Sequence, residues 1–379
     1  TEIVYEVCEL NGIISESQMG TRRKCQGAKE QALINKFVNN KTEHTLKTSW
    51  IDVKKAFDSV KHDYLLDCLE AIKVPDYIQR AVKRMLELQK IDLCLKNQVI
   101  GQVKIESGIV QGDSLSPLLF VIAIEPLSRT LNNNNKKVKL APNFERNHLA
   151  FVDDIKLFAE TSSDLEELCA TASECLDIMA LNINQQKSAS NIESAKTFGE
   201  LVDDVNGYKY LGVLEDASNT IKPANKHLVT RKIIERAQAL CKTDLNSTNL
   251  FKALNEYAIS TINYYIGIVD FSANEYKEID KSIRRCLAEQ NFTRRSANME
   301  RLYLPRTELG RGLSNVQDMA EIILANLNQK MERKQNTAQI LRQEENDRTA
   351  LGNILQKIHN TYGIEPDEYN PSLLREKQN

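Results

Sequence analysis

The chain has 379 residues, a length that predicts two or three domains, each large enough to bury a hydrophobic core. Hydrophobic residues make up 41% and charged residues 27%, a globular composition that excludes disorder over the whole chain. The net charge of −2 argues against nucleic-acid binding, because proteins that bind nucleic acid are usually basic.

The start of the chain and the cysteines bear on the cellular environment. The sequence opens on TEIVYEVCEL, without an initiator Met or a signal-peptide pattern, so we expect a piece of a longer intracellular protein. No run approaches the roughly 18 apolar residues of a membrane span, so we expect no membrane association. The eight cysteines form no C-x-x-C pair and no zinc spacing, which predicts reduced, mostly buried thiols.

The first half of the chain alternates between strand and helix patterns. In chain order we expect a strand at 49–53, a helix at 57–72 capped by Asp58 or Ser59, a helix at 76–90, a hairpin at 91–107, a helix with Pro117 in its first turn, a hairpin at 149–159, a helix at 163–181 and a strand at 208–214. This order predicts an α+β fold, with helices on one face of an antiparallel sheet. Residues 223–269 and 274–290 predict a separate helical part.

Two adjacent acids, Asp153 and Asp154, interrupt an apolar run at the turn of the predicted 149–159 hairpin. Acids this close repel each other and are costly to desolvate, so a cation such as Mg²⁺ would stabilise them. An exposed turn with two solvated acids is the alternative. Asp52, also flanked by apolar residues, favours the metal site, because three such carboxylates can hold the two ions of nucleotidyl transfer.

Five segments, in order, resemble the palm motifs of reverse transcriptases. They are IDVKKAFDSV at 51–60, GIVQGDSLSPLLFVIAIEPLS at 108–128, FVDD at 151–154, LNINQQKSA at 181–189 and YKYLGV at 208–213. The opening GDSLSPLLF, the later YKYLGV and the distal RLYLPRTELGRGL at 301–313 resemble non-LTR (LINE-type) retrotransposon enzymes, most of all the site-specific group with a restriction-like endonuclease.

The resemblance implies a right-hand polymerase with an antiparallel-sheet palm, partial fingers and an all-helical thumb. We expect partial fingers at 1–48, the palm with fingers elements at 49–215, a helical thumb at 216–300, and the thumb end with a helical linker at 301–379. It also implies a nucleotidyltransferase that extends a primer 3′-hydroxyl with dNTPs on an RNA template, in target-primed reverse transcription. An endonuclease domain is expected in the full-length protein, which would act in the nucleus on target DNA.

The resemblance assigns roles around the acids. Asp52, Asp153, Asp154 and the Val53 carbonyl would bind two Mg²⁺ ions, which Mn²⁺ can replace. Lys187 matches the lysine that protonates the pyrophosphate leaving group, with a solvated turn lysine as the alternative.

Further positions match the family's substrate contacts. Phe57 would be a steric gate against the 2′-hydroxyl, or else an ordinary core residue. The remaining assignments are Gln111 and Gly112 under the incoming nucleotide, Arg22 of the basic run Arg22–Lys24 on the triphosphate, and Tyr210, Leu211 and Gly212 as the primer grip.

A basic bias in the helical part predicts contacts with duplex phosphates. Arg284, Arg285, Arg294 and Arg295 are its main members, with a solvated helix face as the alternative. Opposed local charges, acidic at the metal site and basic here, reconcile the net charge with nucleic-acid binding. Two other functions stay open: a catalytically idle nucleic-acid-binding scaffold, and another polymerase with this palm, such as an intron-type reverse transcriptase or an RNA-dependent RNA polymerase.

Overall fold

A computed structural model describes residues 1–23, 25–141, 144–294, 298–332, 356, 358–364 and 371–378. Contacts between residues divide the chain into two compact units, Thr1–Thr220 and Ile221–Asn379. Each unit is described by itself. The predicted subdivision into fingers, palm and thumb stays a prediction.

The first unit mixes helices and strands. Its helices are α1 (Glu2–Leu10), α2 (Ala28–Lys41), α3 (Ala56–Ser59), α4 (His62–Ala71), α5 (Asp76–Glu87), α6 (Ser116–Asn133) and α7 (Ser162–Ile178). Its strands are β1 (Lys47–Ile51), β2 (Lys90–Leu95), β3 (Gln98–Lys104), β4 (Val138–Ala141), β5 (Phe144–Arg146), β6 (His148–Phe151), β7 (Asp154–Ala159), β8 (Ala189–Ser190), β9 (Glu200–Leu201), β10 (Tyr208–Tyr210) and β11 (Val213–Glu215).

A five-stranded sheet in the order β6-β7-β1-β8-β9 forms the centre of the first unit. All neighbouring strands are antiparallel except β8 and β9. Alternate residues of β7 point to opposite faces, so Ile155 and Leu157 enter a large apolar core that includes residues of α6 and α7. This arrangement confirms the predicted α+β class.

The opposite face of the sheet carries Trp50 and is covered by a small hairpin. Trp50 packs with Tyr210, and its ring is stacked on Tyr208 at a centroid distance of 4.9 Å. The single strand predicted at 208–214 was wrong, because Leu211 and Gly212 both adopt positive φ and reverse the chain between β10 and β11. Two consecutive residues with positive φ form the tight turn that suits an antiparallel hairpin.

The single helix predicted at 57–72 is two helices, and neither Asp58 nor Ser59 caps the longer one. Val60 is extended and its carbonyl accepts a hydrogen bond from Gly108 N at 2.8 Å. This hydrogen bond to the loop before α6 holds Val60 in an extended conformation, which separates α3 from α4. The backbone pairing therefore outweighs the helical periodicity of the segment.

The hairpin predicted at 91–107 is confirmed as β2 and β3, joined by a turn at Lys96 and Asn97. It forms a separate two-stranded sheet whose residues are almost all exposed. Several of its large apolar side chains are about half exposed, namely Ile91, Leu93, Leu95, Val99, Ile100 and Val103.

The second unit is helical as expected. The segment predicted at 274–290 is one helix of the expected length, whereas the segment predicted at 223–269 is divided into several shorter helices. Among the described residues, its α-helices include α8 (Ala224–Cys241), α9 (Ser247–Ala253), α10 (Ile262–Tyr265), α11 (Ala273–Glu289), α12 (Glu300–Tyr303), α13 (Val316–Glu332) and α14 (Pro371–Gln378). A π-helical turn at Leu254–Ala258 and a 3₁₀ turn at Ile259–Thr261 lie between α9 and α10.

Part of the predicted linker packs back onto this unit. Ile358, Ile364 and Leu374 are buried in a small apolar cluster with Ala325 of α13. Apolar side chains spaced through a polar tail therefore attach its described parts to α13, which the overall polarity of the tail did not predict.

Two predictions about the environment of the chain can be compared with the structure. All eight cysteines are free thiols, and five of them are buried, as expected. Among the described residues, no helix is both long and apolar enough to cross a membrane.

Candidate active site

Three carboxylates meet at one end of the central sheet. Asp52 directly follows β1, and the pairing of Ile51 with Ile155 places it opposite Asp154, the first residue of β7. Phe151 pairs with Asp154 across the β6–β7 hairpin, so Asp153 lies in its two-residue turn. Asp154 and Asp52 share the sheet face that carries Trp50, because side chains alternate along each strand. The hairpin predicted around the two acids is therefore confirmed.

The turn that carries Asp153 is strained and is held by the segment before α2. Val152 has φ 58°, a conformation that β-branched residues rarely adopt. The Val152 amide donates to Gln18 Oε1 at 2.8 Å, and Gln18 Nε2 donates to the Val152 carbonyl at 3.2 Å. Gly20 N also donates to Gln18 Oε1, at 2.8 Å. Gln18 is fully buried, so these bonds fix the turn from the side of β6.

The electrostatics of the three acids are unfavourable without a cation. Burial of the carboxyl group, followed by repulsion from Asp153 and Asp52, raises the pKa of Asp154 to about 6, although the residue as a whole is exposed. Burial also raises the pKa of Asp153, while the nearby Lys187 ammonium acts in the opposite direction. Two adjacent acids with raised pKa values are typical of a functional site.

The loop after α7 supports Asp52 and brings Lys187 to the acids. Asp52 N donates to Ser188 Oγ at 3.0 Å, and Asn184 Nδ2 donates to Asp52 Oδ2 at 3.1 Å. Val53 is buried and forms an antiparallel bridge with Ile183 of the same loop. The Lys187 side chain is exposed and lies close enough to Asp153 to affect its pKa.

The chemistry of these donors fits Mg²⁺. Carboxylate oxygens are hard ligands, and bound cations would relieve the repulsion that, after burial, raises the pKa of Asp154. Among the residues that the structure describes, no group of three or more His, Cys, Asp or Glu side chains is placed to hold a metal ion as it stands. Mg²⁺ usually keeps waters and substrate phosphates among its ligands, so the protein need not supply them all.

Phe57, Gln111 and Gly112 lie in α3 and in the loop before α6. Phe57 is half-buried, and its ring is stacked on Phe120 at a centroid distance of 4.9 Å. Gln111 and Gly112 are exposed, and Gly112 has φ 100° with open space where a Cβ would stand. Glycine is therefore needed there for its backbone conformation and leaves room for a ligand.

The residues of the basic run near the start of the chain differ in their contacts. Arg23 forms an ion pair with Glu2 at 2.6 Å, and its guanidinium lies 4.4 Å from the centre of the Tyr5 ring. Arg22 is half-buried, and its charge lowers the pKa of Glu125 against the larger, opposite effect of burial. Lys24 lies outside the described residues. Of this run, Arg22 stays the candidate for a triphosphate contact.

The predicted primer-grip residues form the β10–β11 turn. Tyr210 is buried, whereas Leu211 and Gly212 are half-buried at the turn itself. Asp154, after burial, contributes to raising the pKa of Tyr208 and of Tyr210, so this hairpin lies close to the acids. The structure thus brings the predicted primer grip and the carboxylates to one sheet face.

The basic residues of the second unit differ in their surroundings. Arg285 and Arg294 are exposed, whereas Arg284 Nη1 donates to the Tyr303 hydroxyl at 2.5 Å. Arg295 lies outside the described residues. Arg284 therefore has a structural contact that the sequence pattern did not indicate, and Arg285 and Arg294 stay candidates for phosphate contacts.

Sequence reasoning missed three residues that support the site: Gln18, Asn184 and Lys156. Gln18 and Val152 are 134 residues apart, so no local pattern links them. Asn184 lies within a motif already identified, but only the structure shows its bond to Asp52. Lys156 breaks the apolar run after Asp154, and that interruption was the one available signal for it.

The chain matches a known protein family and several known proteins. The family model described as reverse transcriptase (RNA-dependent DNA polymerase) matches residues 3–214. The chain is 25% identical over 252 residues to the Pol polyprotein of an R2 retrotransposable element from Popillia japonica, covering 62% of this chain and 41% of that protein. It is 28% identical over 258 residues to the R2DM polyprotein of Drosophila melanogaster, covering 62% of this chain and 23% of that protein.

Other known proteins are also similar to this chain. The polymerase of the mobile element jockey from Drosophila funebris is 26% identical over 233 residues, covering 56% of this chain and 24% of that protein. Among solved structures, apo telomerase from Candida tropicalis is similar with a TM-score of 0.45 and 11% identity, over 89% of this chain and 60% of that chain. The present chain thus spans less than half the length of these retrotransposon relatives.

The family match covers more than half of the chain and includes every predicted palm motif. The relatives named above are polyproteins of R2 elements and the polymerase of the mobile element jockey, which are non-LTR elements. The chain belongs to the reverse transcriptase (RNA-dependent DNA polymerase) family, and within it to the non-LTR retrotransposon type.

Proposed function

We propose that this chain is the polymerase part of an enzyme that copies retrotransposon RNA into DNA by extending a primer 3′-hydroxyl. The observation that carries the proposal is the convergence of Asp52, Asp153 and Asp154 at one end of adjacent strands, with the pKa of Asp154 raised to about 6. Three acids in this arrangement suit a site that holds divalent cations beside phosphate.

Each residue has a separate task in this proposal. Asp52, Asp153, Asp154 and the Val53 carbonyl hold two Mg²⁺ ions, or Mn²⁺ in their place. When bound, such ions activate the attacking hydroxyl and stabilise charge on the transferring phosphate. Lys187, which lies near Asp153, donates a proton to the pyrophosphate leaving group.

The contacts with substrate extend outward from the acids. Arg22 binds the triphosphate, Gln111 and Gly112 pack under the incoming nucleotide, and Phe57 excludes the 2′-hydroxyl. Tyr210, Leu211 and Gly212 hold the primer terminus. The proximity of the β10–β11 hairpin to Asp154 supports this arrangement, because primer terminus and cations must meet.

The wider reaction is target-primed reverse transcription, in which the primer is the 3′-hydroxyl of nicked target DNA in the nucleus. The R2 relatives support this choice. The RNA template and the primer form the duplex that Arg285 and Arg294 contact through phosphates. An endonuclease domain of the full-length protein would supply the nick.

Primer extension tests this function. The full chain, with Mg²⁺ and dNTPs, should extend a DNA primer annealed to an RNA template, and EDTA should stop the reaction. Asp153→Asn should abolish extension while the variant still binds the duplex. Asp177→Asn, at an exposed acid near the end of α7, is the matched control and should extend normally. Extension by Asp153→Asn at the wild-type rate would refute the metal role.

A further inference from the structure

A buried ion pair joins β7 to β11 in the first unit. Lys156 Nζ lies 2.9 Å from Glu215 Oε2, and each side chain is only 1% exposed. Two charges are costly to remove from water, and a pair of apolar residues of similar volume often stabilises a fold equally well. The pair therefore calls for a reason beyond the stability of the core.

Two asparagines of α2 complete the bonding of the pair. Lys156 Nζ donates to Asn35 Oδ1 at 2.7 Å and lies 3.5 Å from Asn39 Oδ1. Asn35 Nδ2 donates to Glu215 Oε1, and Asn39 Nδ2 donates to the Asn219 carbonyl at 2.9 Å. Directional bonds from α2 thus fix both charged groups, so the pair has one geometry and not a range of them.

Aromatic rings hold the ammonium from the sides. Lys156 Nζ lies 5.1 Å from the centre of the Trp50 ring and 5.7 Å from that of Tyr210, distances at which a cation is attracted to a ring face. Trp50 is stacked on Tyr208. The β10–β11 hairpin therefore meets Lys156 through Glu215 and Tyr210, and meets β1 through Tyr208.

This cluster lies directly behind the carboxylates. Lys156 is two residues after Asp154 on β7, and Trp50, its partner in the β1–β7 pairing, is two residues before Asp52. Residues two apart on a strand share a face. Asp52 and Asp154 therefore lie at the ends of β1 and β7, and the residues that contact the β10–β11 hairpin lie two positions further along the same face.

We propose that Lys156 and Glu215 are positioning residues, which set the distance between the β10–β11 primer grip and the catalytic carboxylates. The inference rests on the proposed function, since it needs a primer terminus at Tyr210–Gly212. A displacement of about 1 Å in reacting groups can slow a reaction on the order of 100-fold. Looser attachment of the hairpin should therefore slow the chemical step without removing either substrate.

The main experiment replaces the charged pair by a neutral one in the full chain. Lys156→Met/Glu215→Gln removes both charges but keeps an acceptor for Asn35 Nδ2, so no buried charge is left alone. We expect at least a tenfold fall in kcat for primer extension, with KM for dNTP and Kd for the primer–template within about twofold of wild type. A double variant that is folded, as judged by its melting temperature, and retains wild-type kcat would overturn the proposal.

A second variant covers the case in which the double variant does not fold. Glu215→Asp keeps the charge but withdraws the carboxylate by one carbon–carbon bond, about 1.5 Å. We expect kcat to fall again, by at least threefold, whereas a purely structural pair would lower only the melting temperature. The matched control is Lys196→Met/Glu166→Gln, which removes a 3.1 Å ion pair of the same unit away from the hairpin, and should keep wild-type kcat.

A spectroscopic readout is independent of activity. Trp50 is the single tryptophan of the chain, so its emission reports on this cluster alone. The Lys156→Met/Glu215→Gln variant and the Glu215→Asp variant should both shift that emission, and the control variant should not. Unchanged emission together with unchanged kcat would refute the positioning role. If the wild-type chain and Asp153→Asn are equally inactive in primer extension, the proposed function itself fails. If the wild-type chain is active and the Lys156→Met/Glu215→Gln variant has the same kcat, only the positioning proposal fails.

Discussion

Gln18 is bonded to both backbone polar groups of Val152, the residue that precedes Asp153 in the turn. The two bonds hold a β-branched residue at positive φ, a conformation that costs on the order of 1–3 kcal/mol and persists only when its surroundings enforce it. We infer that Gln18 is part of what keeps Asp153 in place, although it contributes no ligand.

Gly20 should tolerate no side chain, because it packs against the hydrogen-bonded pair of Gln18 and Val152. A Cβ there would lie 2.7 Å from Gln18 Oε1 and 2.7 Å from Val152 N. Gly20→Ala should therefore lower the free energy of unfolding by about 1–3 kcal/mol and reduce primer extension. Urea denaturation and extension assays measure both effects. Gly101→Ala is the control, since the nearest atom there is 3.8 Å away, and equal behaviour of the two variants would contradict the prediction.

Phe57 should govern the choice of sugar. If its ring occupies the space of a 2′-hydroxyl, Phe57→Ala and the milder Phe57→Val should raise the kcat/KM for ribonucleotides relative to deoxynucleotides at least tenfold. The ratio of the two kcat/KM values is the measurement. Phe120→Leu, at the ring stacked on Phe57, is the control for disturbance of the core and should leave the ratio near that of wild type. If both Phe57 variants keep the wild-type ratio of the two kcat/KM values, Phe57 is an ordinary core residue and not a steric gate.

Lys187 should act by proton donation and not by charge alone. Lys187→Ala should slow single-turnover extension by about 100-fold or more, the usual contribution of a general acid. Lys187→Arg keeps the positive charge near Asp153 but cannot release a proton at any pH of interest, so it should be almost as slow. Full activity of the arginine variant would argue for a purely electrostatic role. Lys196→Ala, at an exposed lysine, provides the comparison.

Glu125 should make stability depend on pH. Burial raises its pKa from 4.5 to about 7, so the folded protein binds this proton more tightly than the unfolded chain does. The free energy of unfolding should therefore fall as pH rises from 4.5 through 7, by at most about 3 kcal/mol from this group. Urea titrations at pH 5 and pH 8 measure the change.

The neutral variant Glu125→Gln tests this assignment. It keeps an acceptor for the Ser15 amide, which donates to Glu125 Oε1 at 3.0 Å, and should lose most of the pH dependence. Glu174→Gln, at an exposed acid of α7, should behave like wild type. If Glu125→Gln shows the same fall between pH 5 and pH 8 as wild type, other groups are responsible.

The sequence indicated candidate site residues but not the contacts that support them. The acids became candidates because Asp153 and Asp154 interrupt an apolar run, and because the motifs around them follow family order. The bond from Gln18 to Val152 and the tie between Val60 and Gly108 are tertiary contacts between distant segments, which periodicity cannot reveal. For the same reason the helix over 57–72 was predicted as continuous.

Short turns were the other source of error. In YKYLGVL the apolar pattern favoured one strand, but Leu211 and Gly212 reverse the chain and place Glu215 beside Lys156. The positive φ of Leu211 could not be predicted from its residue type, because this conformation is usual for Gly and occasional for Asn or Asp. The ion pair could not be predicted without that reversal.

The β2–β3 hairpin has a consequence for the behaviour of the chain in concentrated solution. Two strands with open edges and half-exposed Ile91, Leu93 and Val103 present both hydrogen-bonding groups and apolar surface to a second molecule. Edge pairing between copies is second order in protein, so purified chain should self-associate as it is concentrated. Light scattering measured against protein concentration would show the onset of self-association, and Val103→Lys should move that onset to higher concentration.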